Sequence, residues 1–361
     1  MDGIELLCIG NAMVDIFAGA EGETLKRLGL TEAVQHVTPE RMDHILGALG
    51  IFAGSAATVS SGGGASNAAK TAALLGIRAA FTGSVGGLRE KIDPFGRIFK
   101  RDLEEAGVVL RLKLTGKPTG ICLYLRTGPE GGVRIAASAS AALDLSPGDI
   151  PEAAVRDARI IVPDGYLLDR DDLIRHIIDT ARRFGKTIAL DAGSAVLAGS
   201  RAEELAAWCR NSRLILFMNE NETAAFCGAL NGGGDQEGFL RDLASGGPFP
   251  VIVEKRGREG AAVYAGGRIC RKPTVPAQPL ESAGAGDAFC GAFLAAWLRG
   301  KPAEECADLG NRTAGAVLGT AGTKISREIF RKLKMSLRSA EPRGIFSDAQ
   351  FKTKARSGGN L

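Results

Sequence analysis

The chain has 361 residues, of which 45% are hydrophobic and 24% are charged, and its formal net charge at pH 7 is +4. This length suits one large α/β domain or a main domain with a small appendage. The charge excess is too small and too dispersed to indicate nucleic-acid binding, and no apolar run reaches the roughly 18 residues of a membrane span. Asp2 and Glu5 stand where a signal peptide would carry positive charge, so a cytoplasmic protein is expected.

Short apolar runs alternate with longer helical patterns along most of the chain. Buried strands are predicted, in chain order, at Ile4–Gly10, Ala79–Gly83, Ile160–Pro163, Thr187–Asp191, Leu214–Met218 and Val251–Glu254. Helices are predicted between them at Asn67–Leu75, Pro94–Ala106, Asp171–Phe184 and Glu220–Cys227. This alternation predicts an α/β fold with a mostly parallel sheet flanked by helices, in which ligands collect at the carboxyl ends of the strands.

One region interrupts this alternation. Leu110–Leu114, Gly120–Leu125 and Val133–Ala137 have strand patterns and are separated by turns rich in glycine and proline. They predict an antiparallel insertion, which together with Ala12–Phe17 is expected to form a small β-sheet lid over a site. The last residues, 336–361, are expected to form a mobile or loosely docked tail.

The most informative segment is Gly284-Ala285-Gly286-Asp287, which opens a strong helix pattern over Ala288–Arg299. Small residues at a helix N-terminus expose backbone N–H groups, and the helix dipole adds positive potential. Such a turn suits a phosphoryl group, and Asp287 is placed to accept a proton from an attacking hydroxyl. The alternative interpretation is a glycine-rich turn with Asp287 as a helix cap.

A second glycine turn, Gly62-Gly63-Gly64, leads through Asn67 into another helix pattern. Successive glycines let a ligand approach the backbone closely, and the amide of Asn67 offers a donor and an acceptor to a diol. A flexible turn with Asn67 or Ser66 as the N-cap would explain the same residues.

Two polar segments follow predicted strands at their carboxyl ends. Asn219 to Glu222 follows Leu214–Met218, and its carboxylate and amide could hold Mg²⁺ through waters, because Mg²⁺ gives up its hydration shell reluctantly. Asn11 to Asp15 follows the first strand, where Asp15 could bind substrate hydroxyls. A helix cap and a surface acid are the respective alternatives.

A further turn, Lys255-Arg256-Gly257-Arg258-Glu259-Gly260, joins two apolar strands and could cover a nucleotide, or form an ordinary hairpin. Motifs of other nucleotide-dependent and hydrolytic enzymes are absent from the sequence. It contains no GxxxxGK[ST], no GxGxxG after the first strand, no GxSxG and no HExxH.

Taken in order over roughly residues 4–330, these five segments resemble the ribokinase-like, or PfkB, family of carbohydrate and nucleoside kinases. The segments Gly10–Asp15 and Asp164–Asp169 are similar to the adenosine-kinase branch of that family. The resemblance implies a Rossmann-like main domain over residues 1–335, with lid elements near 11–50 and 110–138. It also implies ATP and Mg²⁺ as cofactors and phosphoryl transfer to a hydroxymethyl oxygen of a sugar or nucleoside.

The resemblance also assigns roles to individual residues. Asp287 would be the catalytic base, and Gly284, Ala285 and Gly286 would form the anion hole. The residues implied in substrate binding are Asn11, Asp15, Gly63, Gly64 and Asn67. Those implied in nucleotide binding are Asn219, Lys255, Gly257, Gly260, Ala283 and Asn311, with Glu222 serving the metal ion.

Three departures from the family pattern qualify these expectations. Glu281-Ser282-Ala283 replaces the usual Asp-Thr, which puts a monovalent cation beside the anion hole in doubt. The connection from Gly86 to Gly96 is longer than usual and could reshape the substrate edge, and the C-terminal tail has no counterpart. A non-catalytic sugar- or nucleotide-binding protein, or a kinase of a hydroxymethyl-pyrimidine or pyridoxal-type ring, are the alternatives. Monomer and homodimer are both compatible with the sequence.

Overall fold

The computed structural model describes residues 3–52, 57–128, 132–246, 250–274, 283–318 and 327–338. The strands of these residues fall into two sheets. Those of the large sheet are β1 Leu6–Ile9, β5 Ala79–Leu88, β6 Lys91–Ile92, β7 Val109–Thr115, β10 Ile160–Pro163, β11 Thr187–Asp191, β12 Leu214–Asn219, β13 Val251–Lys255, β14 Ala261–Ala265 and β15 Arg268–Lys272. Those of the small sheet are β2 Met13–Gly19, β3 Val34–His36, β4 Thr58–Gly62, β8 Gly120–Arg126 and β9 Val133–Ser138.

The helices connect these strands and lie on both faces of the large sheet. Their bounds are α1 Gly22–Arg27, α2 Pro39–Ala48, α3 Gly64–Leu74, α4 Pro94–Glu105, α5 Glu152–Asp157, α6 Asp171–Arg183, α7 Ala195–Ser200, α8 Ala202–Asn211, α9 Glu220–Asn231, α10 Gln236–Leu243, α11 Ala285–Leu298, α12 Ala303–Leu318 and α13 Arg327–Arg338. None of them has the combination of length and apolar sequence that a bilayer crossing requires, as far as the described residues go.

The large sheet has the order β15-β14-β13-β12-β11-β10-β1-β5-β6, with β7 also paired to β5. Its central pairs are parallel, while β13–β14, β14–β15 and β5–β6 are antiparallel. The predicted α/β fold with a mostly parallel sheet is therefore confirmed. Because the central strands are parallel, their carboxyl ends meet at one edge of the sheet, and this edge carries the candidate site.

Side chains of β1 alternate between two hydrophobic cores, one on each face of the large sheet. Leu6 and Cys8 belong to the core that also contains residues of α3 and α11. Leu7 and Ile9 belong to the core that is closed by α6, α8 and α9. Burial of both faces explains why the central strands are continuous apolar runs, and it holds the sheet rigidly beneath the site.

The small sheet has the order β3-β9-β8-β2-β4 and presents two different faces. Val14, Ile16 and Leu123 are fully buried in a hydrophobic core. On the opposite face Phe17 stacks on Tyr124, with ring centroids 4.7 Å apart, and both rings are partly exposed. This alternation gives the small sheet one structural face and one face that is available to a ligand.

The sequence-based prediction of the insertion was partly wrong. Strand β7 pairs in parallel with β5 in the large sheet, so the antiparallel hairpin of the insertion consists of β8 and β9 alone. The long connection after Gly86 is a second hairpin, in which Arg89 and Glu90 have positive φ angles of 48° and 67° between β5 and β6. The helix α13 extends to Arg338, and residues 339–361 of the predicted tail lie outside the described residues.

Candidate active site

The site begins where helices α3 and α11 pack closely together. A Cβ atom on Gly291 of α11 would lie only 2.4 Å from the carbonyl oxygen of Ala68 on α3, so a glycine is required for this approach. The contact brings the first turns of the two helices side by side. As a result, Nδ2 of Asn67 donates a 3.0 Å hydrogen bond to Oδ2 of Asp287.

The turn before α3 joins two more of the predicted residues to this site. Gly63 has a φ of +93°, and a Cβ atom there would lie 2.3 Å from the backbone oxygen of Asn11. A Cβ atom on Gly62 would lie 2.2 Å from Oδ1 of Asp15, which is itself 4% exposed. The glycines therefore permit a close approach to the segment that follows β1, and the structure brings Asn11, Asp15 and Asn67 together.

The first turn of α11 presents backbone donors without a side-chain cap. Its N-cap residue, Gly284, has a left-handed φ of 74° and no side-chain oxygen. The first N–H groups of a helix have no intrahelical acceptor, so those after Gly284 remain for a ligand, and the helix dipole favours an anion there. Ala283 lies directly before this turn, whereas the departure at Glu281 and Ser282 lies outside the described residues.

Two carboxylates at the site were not predicted from the sequence. Asp164 follows β10 and Asp191 ends β11, and together with Asp287 they line a cavity of about 30 Å³. Asp164 accepts hydrogen bonds from the backbone N–H groups of Ala65, at 3.3 Å, and Tyr166, at 3.0 Å. The available sequence signal was their position, because an acid at the carboxyl end of a predicted parallel strand points to the ligand edge.

Burial and neighbouring negative charge favour protonation of Asp164 and Asp287. Burial raises the pKa of Asp164 to about 6, with a further contribution from the negative charge of Asp287, against the two backbone hydrogen bonds. Burial also raises the pKa of Asp287, while its hydrogen bond from Asn67 acts in the opposite direction. A raised pKa makes a carboxylate a better proton acceptor, which is the property that a general base needs.

Lys255, at the end of β13, provides positive charge at the same place. Its ammonium forms an ion pair with Asp191, and its Nζ atom lies 3.4 Å from the position of a Cβ atom on Gly286. Burial alone would lower the pKa of Lys255, but Asp191 and other negative neighbours, including Glu222, raise it, so the side chain stays charged. The thiol of Cys290 donates to Oδ2 of Asp191 at 3.3 Å and helps to orient this carboxylate.

Asn219 and Glu222 form a reciprocal cap at the start of α9. The backbone N–H and Nδ2 of Asn219 each donate to a carboxylate oxygen of Glu222 at 2.7 Å, and the N–H of Glu222 donates to Oδ1 of Asn219 at 2.9 Å. Burial, followed by the charge of Asp191, raises the pKa of Glu222, while Lys255 lowers it. Within the described residues, no three His, Cys, Asp or Glu side chains are arranged as a metal site.

Two of the remaining predicted nucleotide-binding residues, Gly260 and Asn311, meet at strand β15. A Cβ atom on Gly260 would lie 2.1 Å from the carbonyl oxygen of Lys272, and Nδ2 of Asn311 donates to the same oxygen at 2.9 Å. Gly257 lies in the turn between β13 and β14. Strand register connects this place with the centre of the site, because Asn219, Lys255, Ala261 and Lys272 form one row across the sheet.

Comparisons with known proteins identify the family of this chain and several relatives. Residues 40–329 match the model of the pfkB family carbohydrate kinases. An ATP-dependent ribose-1-phosphate kinase of Halopiger xanaduensis is 28% identical over 73% of this chain and 82% of its own length. A nucleoside kinase of Methanothermobacter thermautotrophicus is 26% identical over 73% of this chain and 80% of its own length.

Solved structures share the whole architecture. The adenosine kinase from Sinorhizobium meliloti has a TM-score of 0.78 and 27% identity, and the match covers 92% of this chain and 99% of that one. A probable sugar kinase from Rhizobium etli has a TM-score of 0.79, and its 24% identity shows the fold alone. Fold and relatives define this chain as a carbohydrate or nucleoside kinase, an enzyme that transfers a phosphoryl group to an alcohol. It belongs to the pfkB family of carbohydrate kinases.

Proposed function

We propose that the protein transfers the γ-phosphoryl group of ATP to a hydroxymethyl oxygen of a sugar or ribonucleoside, with Asp287 as the general base. The observation that carries this proposal is the 3.0 Å hydrogen bond between Asn67 and Asp287. It joins the turn that is suited to acceptor hydroxyls to the helix N-terminus that is suited to phosphate. A proton acceptor and an anion site then share one reaction centre.

On the side that is proposed to bind the sugar or nucleoside, two buried amide oxygens lack a hydrogen-bond donor among the described residues. Oδ1 of Asn11 and Oδ1 of Asn67 are buried and have no hydrogen-bond partner among the described residues. Buried polar atoms are normally satisfied, so these two oxygens fit hydroxyl groups of a bound sugar ring. Asp15 stands beside them at the glycine turn and supports the same assignment.

The side that is proposed to bind ATP combines backbone N–H groups with one ammonium group. The N–H groups after Gly284 would bind the oxygens of the transferred phosphoryl group, where negative charge develops during transfer. Lys255, beside Gly286, would balance that charge and hold Asp191 in place. Ala283, Gly257, Gly260, Asn219 and Asn311 stay predictions as nucleotide-binding residues.

The charges of the site fit a divalent cation that arrives with the nucleotide. The charges of Asp191, Asp287 and Glu222 act on Lys255, and Asp164 lies near Asp191 and Asp287. Both carboxylate oxygens of Glu222 already accept hydrogen bonds, so Glu222 would hold Mg²⁺ through water rather than directly. Bound Mg²⁺ would neutralise the negative charge of the phosphate oxygens.

The acceptor class is proposed to be a compound with a ribofuranose ring. The proteins named as a ribose-1-phosphate kinase and a nucleoside kinase both act on molecules that carry ribose or a related pentose. The partly exposed Phe17 and Tyr124 on the free face of the small sheet add apolar surface for a ring that is attached to the sugar. The small sheet is proposed to act as the lid, and the cytoplasmic location stays a prediction.

Release of ADP from the purified protein would test this function. The panel of acceptors comprises adenosine, cytidine, ribose 1-phosphate, ribose and fructose, each with ATP and Mg²⁺. We expect turnover with at least one ribofuranosyl acceptor and little ATP hydrolysis without an acceptor, because closure excludes water. Equal rates with and without acceptor would contradict the proposal. A binding-only protein would bind an acceptor but release no ADP with any of them.

A further inference from the structure

Asp164 lies where separate segments of the candidate site meet. Its backbone N–H donates to the carbonyl oxygen of Ile9 at 2.8 Å, which ties the end of β10 to the end of β1. A Cβ atom on Gly10 would lie only 2.3 Å from the Cβ atom of Asp164, and Asn11 follows Gly10 directly. Only 3% of Asp164 is exposed. The residue is therefore packed against the segment that carries Asn11, which is proposed to bind the acceptor.

The carboxylate of Asp164 caps helix α3 from a distant part of the chain. The N-cap residue of α3, Gly63, has no side chain, so the first N–H groups of the helix need another acceptor. The N–H of Ala65 donates to Oδ2 of Asp164 at 3.3 Å across 99 sequence positions. The negative charge of the carboxylate also lies at the positive end of the helix dipole. Asp164 thereby holds the first turn of α3, from which Asn67 donates its hydrogen bond to Asp287.

Local capping alone would not require an acid at this position. The other oxygen, Oδ1, accepts from the N–H of Tyr166 at 3.0 Å and caps the short 3₁₀ helix Gly165–Asp169. Serine or asparagine caps a helix about as well as aspartate does and carries no charge. Burial and the charge of Asp287 raise the pKa of Asp164 to about 6, so at neutral pH the ionised carboxylate lowers the stability of the folded protein. A destabilising buried acid that also reaches Ala65 indicates a role beyond the local cap.

We propose that Asp164 is a positioning residue for the acceptor, and that it holds the glycine turn before α3 against the segment that follows β1. Each of these segments carries one buried oxygen that is proposed to bind an acceptor hydroxyl, Oδ1 of Asn11 and Oδ1 of Asn67. The distance between the two oxygens decides whether both can bind hydroxyls of one sugar ring. This role rests on the proposed function, because it takes these oxygens as ligands of the acceptor. Binding of ATP should not depend on it.

Steady-state kinetics of Asp164→Asn test this role with the acceptor that the wild type phosphorylates. At pH 8 the wild-type carboxyl is ionised, and the variant has one acceptor oxygen where the wild type has two. The KM for the acceptor should rise about tenfold or more, as for loss of a hydrogen bond to a charged group, with little change in kcat or in the KM for ATP. Asp235→Asn is the matched control, because Asp235 accepts a 2.9 Å backbone hydrogen bond from Gly238 at the start of α10. An unchanged KM for the acceptor, or a loss confined to kcat or to the KM for ATP, would overturn the proposal.

Hydrogen–deuterium exchange of the ligand-free protein separates failure of this role from failure of the proposed function. The peptide that contains Ala65 should exchange about tenfold faster in Asp164→Asn than in the wild type or in Asp235→Asn. Equal exchange would overturn the proposal even if the wild type phosphorylates an acceptor. If the wild type phosphorylates no acceptor, the proposed function fails, and the role of Asp164 in acceptor binding fails with it. Asp164→Ser serves if Asp164→Asn does not fold, because its single, shorter side-chain oxygen can cap Tyr166 but cannot also reach Ala65.

Discussion

Asn67 and Asp287 are 220 positions apart in the sequence, and a 3.0 Å hydrogen bond from Nδ2 to Oδ2 connects them. The bond exists because Gly291 lets α11 approach the backbone of Ala68 on α3. A proton acceptor is thereby held against the turn that is proposed to bind the acceptor hydroxyls. Had Asp287 pointed into packed core, away from this turn, a kinase mechanism would have lacked its reaction centre.

Substitution of the proposed base should separate chemistry from binding. Asp287→Asn keeps the size of the side chain and removes the proton acceptor, so kcat should fall by about 10²–10⁴-fold, as is typical for loss of general base catalysis. The KM for ATP should change little. Steady-state kinetics with Asp179→Asn, an exposed acid on α6, provides the matched control. Retention of wild-type kcat by Asp287→Asn would exclude this residue as the base.

The glycine turn before α3 should tolerate no side chain. Gly63→Ala would place a Cβ atom 2.3 Å from the backbone oxygen of Asn11 at a φ of +93°, and strain of this kind costs about 1–3 kcal/mol or more. Gly228→Ala is the control, because nothing lies within 4 Å of the new atom inside α9, and it should stabilise by about 0.5–1 kcal/mol. Urea unfolding of both variants measures the difference, and equal stabilities would show that the turn is not constrained.

The pair of Lys255 and Asp191 should be strongly coupled. Their side chains are only 15% and 26% exposed, so Lys255→Met leaves a poorly solvated carboxylate and should cost about 3–5 kcal/mol of stability. Asp191→Asn in the same chain should recover most of that loss, which a double-mutant cycle detects. The exposed pair of Lys26 and Glu23 is the reference, where Lys26→Met should change stability by less than about 1 kcal/mol. Additive effects at the buried pair would contradict the coupling.

The stability of the protein should depend on pH through Asp164. Its folded-state pKa of about 6 exceeds its ordinary value of 3.8, so between these values the folded state binds more protons than the unfolded state. The free energy of unfolding should therefore fall as pH rises from about 4 to about 6, by about 3 kcal/mol from this group, and Asp164→Asn should remove that contribution. Urea unfolding at several pH values measures it, with Asp179→Asn as the control. An unchanged pH profile in Asp164→Asn would show that the carboxyl is not the source.

Much of the fold followed from local pattern, and the pairing of strands did not. Ile160–Pro163 and Thr187–Asp191 were predicted with the observed bounds, because strands buried on both faces are uniform apolar runs. Strand β7 was assigned to the wrong sheet, since an apolar run carries no information about which neighbour completes its hydrogen bonds. Strand β4 was missed because Thr58–Gly62 is short and rich in serine and glycine.

At the site, the glycine motifs could be recognised in the sequence, whereas the charged residues around them could not. Glycine turns before helices are local features, so Gly62–Gly64 and Gly284–Gly286 could be found directly. Asp164 and Asp191 became meaningful only when the sheet brought the carboxyl ends of β10 and β11 beside α11. The ion pair of Asp191 with Lys255 depends on strand order, which one sequence does not encode in local pattern.

The N-cap residue of helix α11, Gly284, has no side chain, and the first N–H groups of the helix therefore have no side-chain acceptor. A side-chain oxygen at this N-cap position, such as that of serine, would stabilise the ligand-free protein. It would also compete with a bound phosphate for the first N–H groups of the helix. Under the proposed function, a bound phosphate would supply the missing acceptor for these N–H groups, so lower stability of the ligand-free protein would be accompanied by higher affinity for the nucleotide. The melting temperature should consequently report how fully the nucleotide site is occupied.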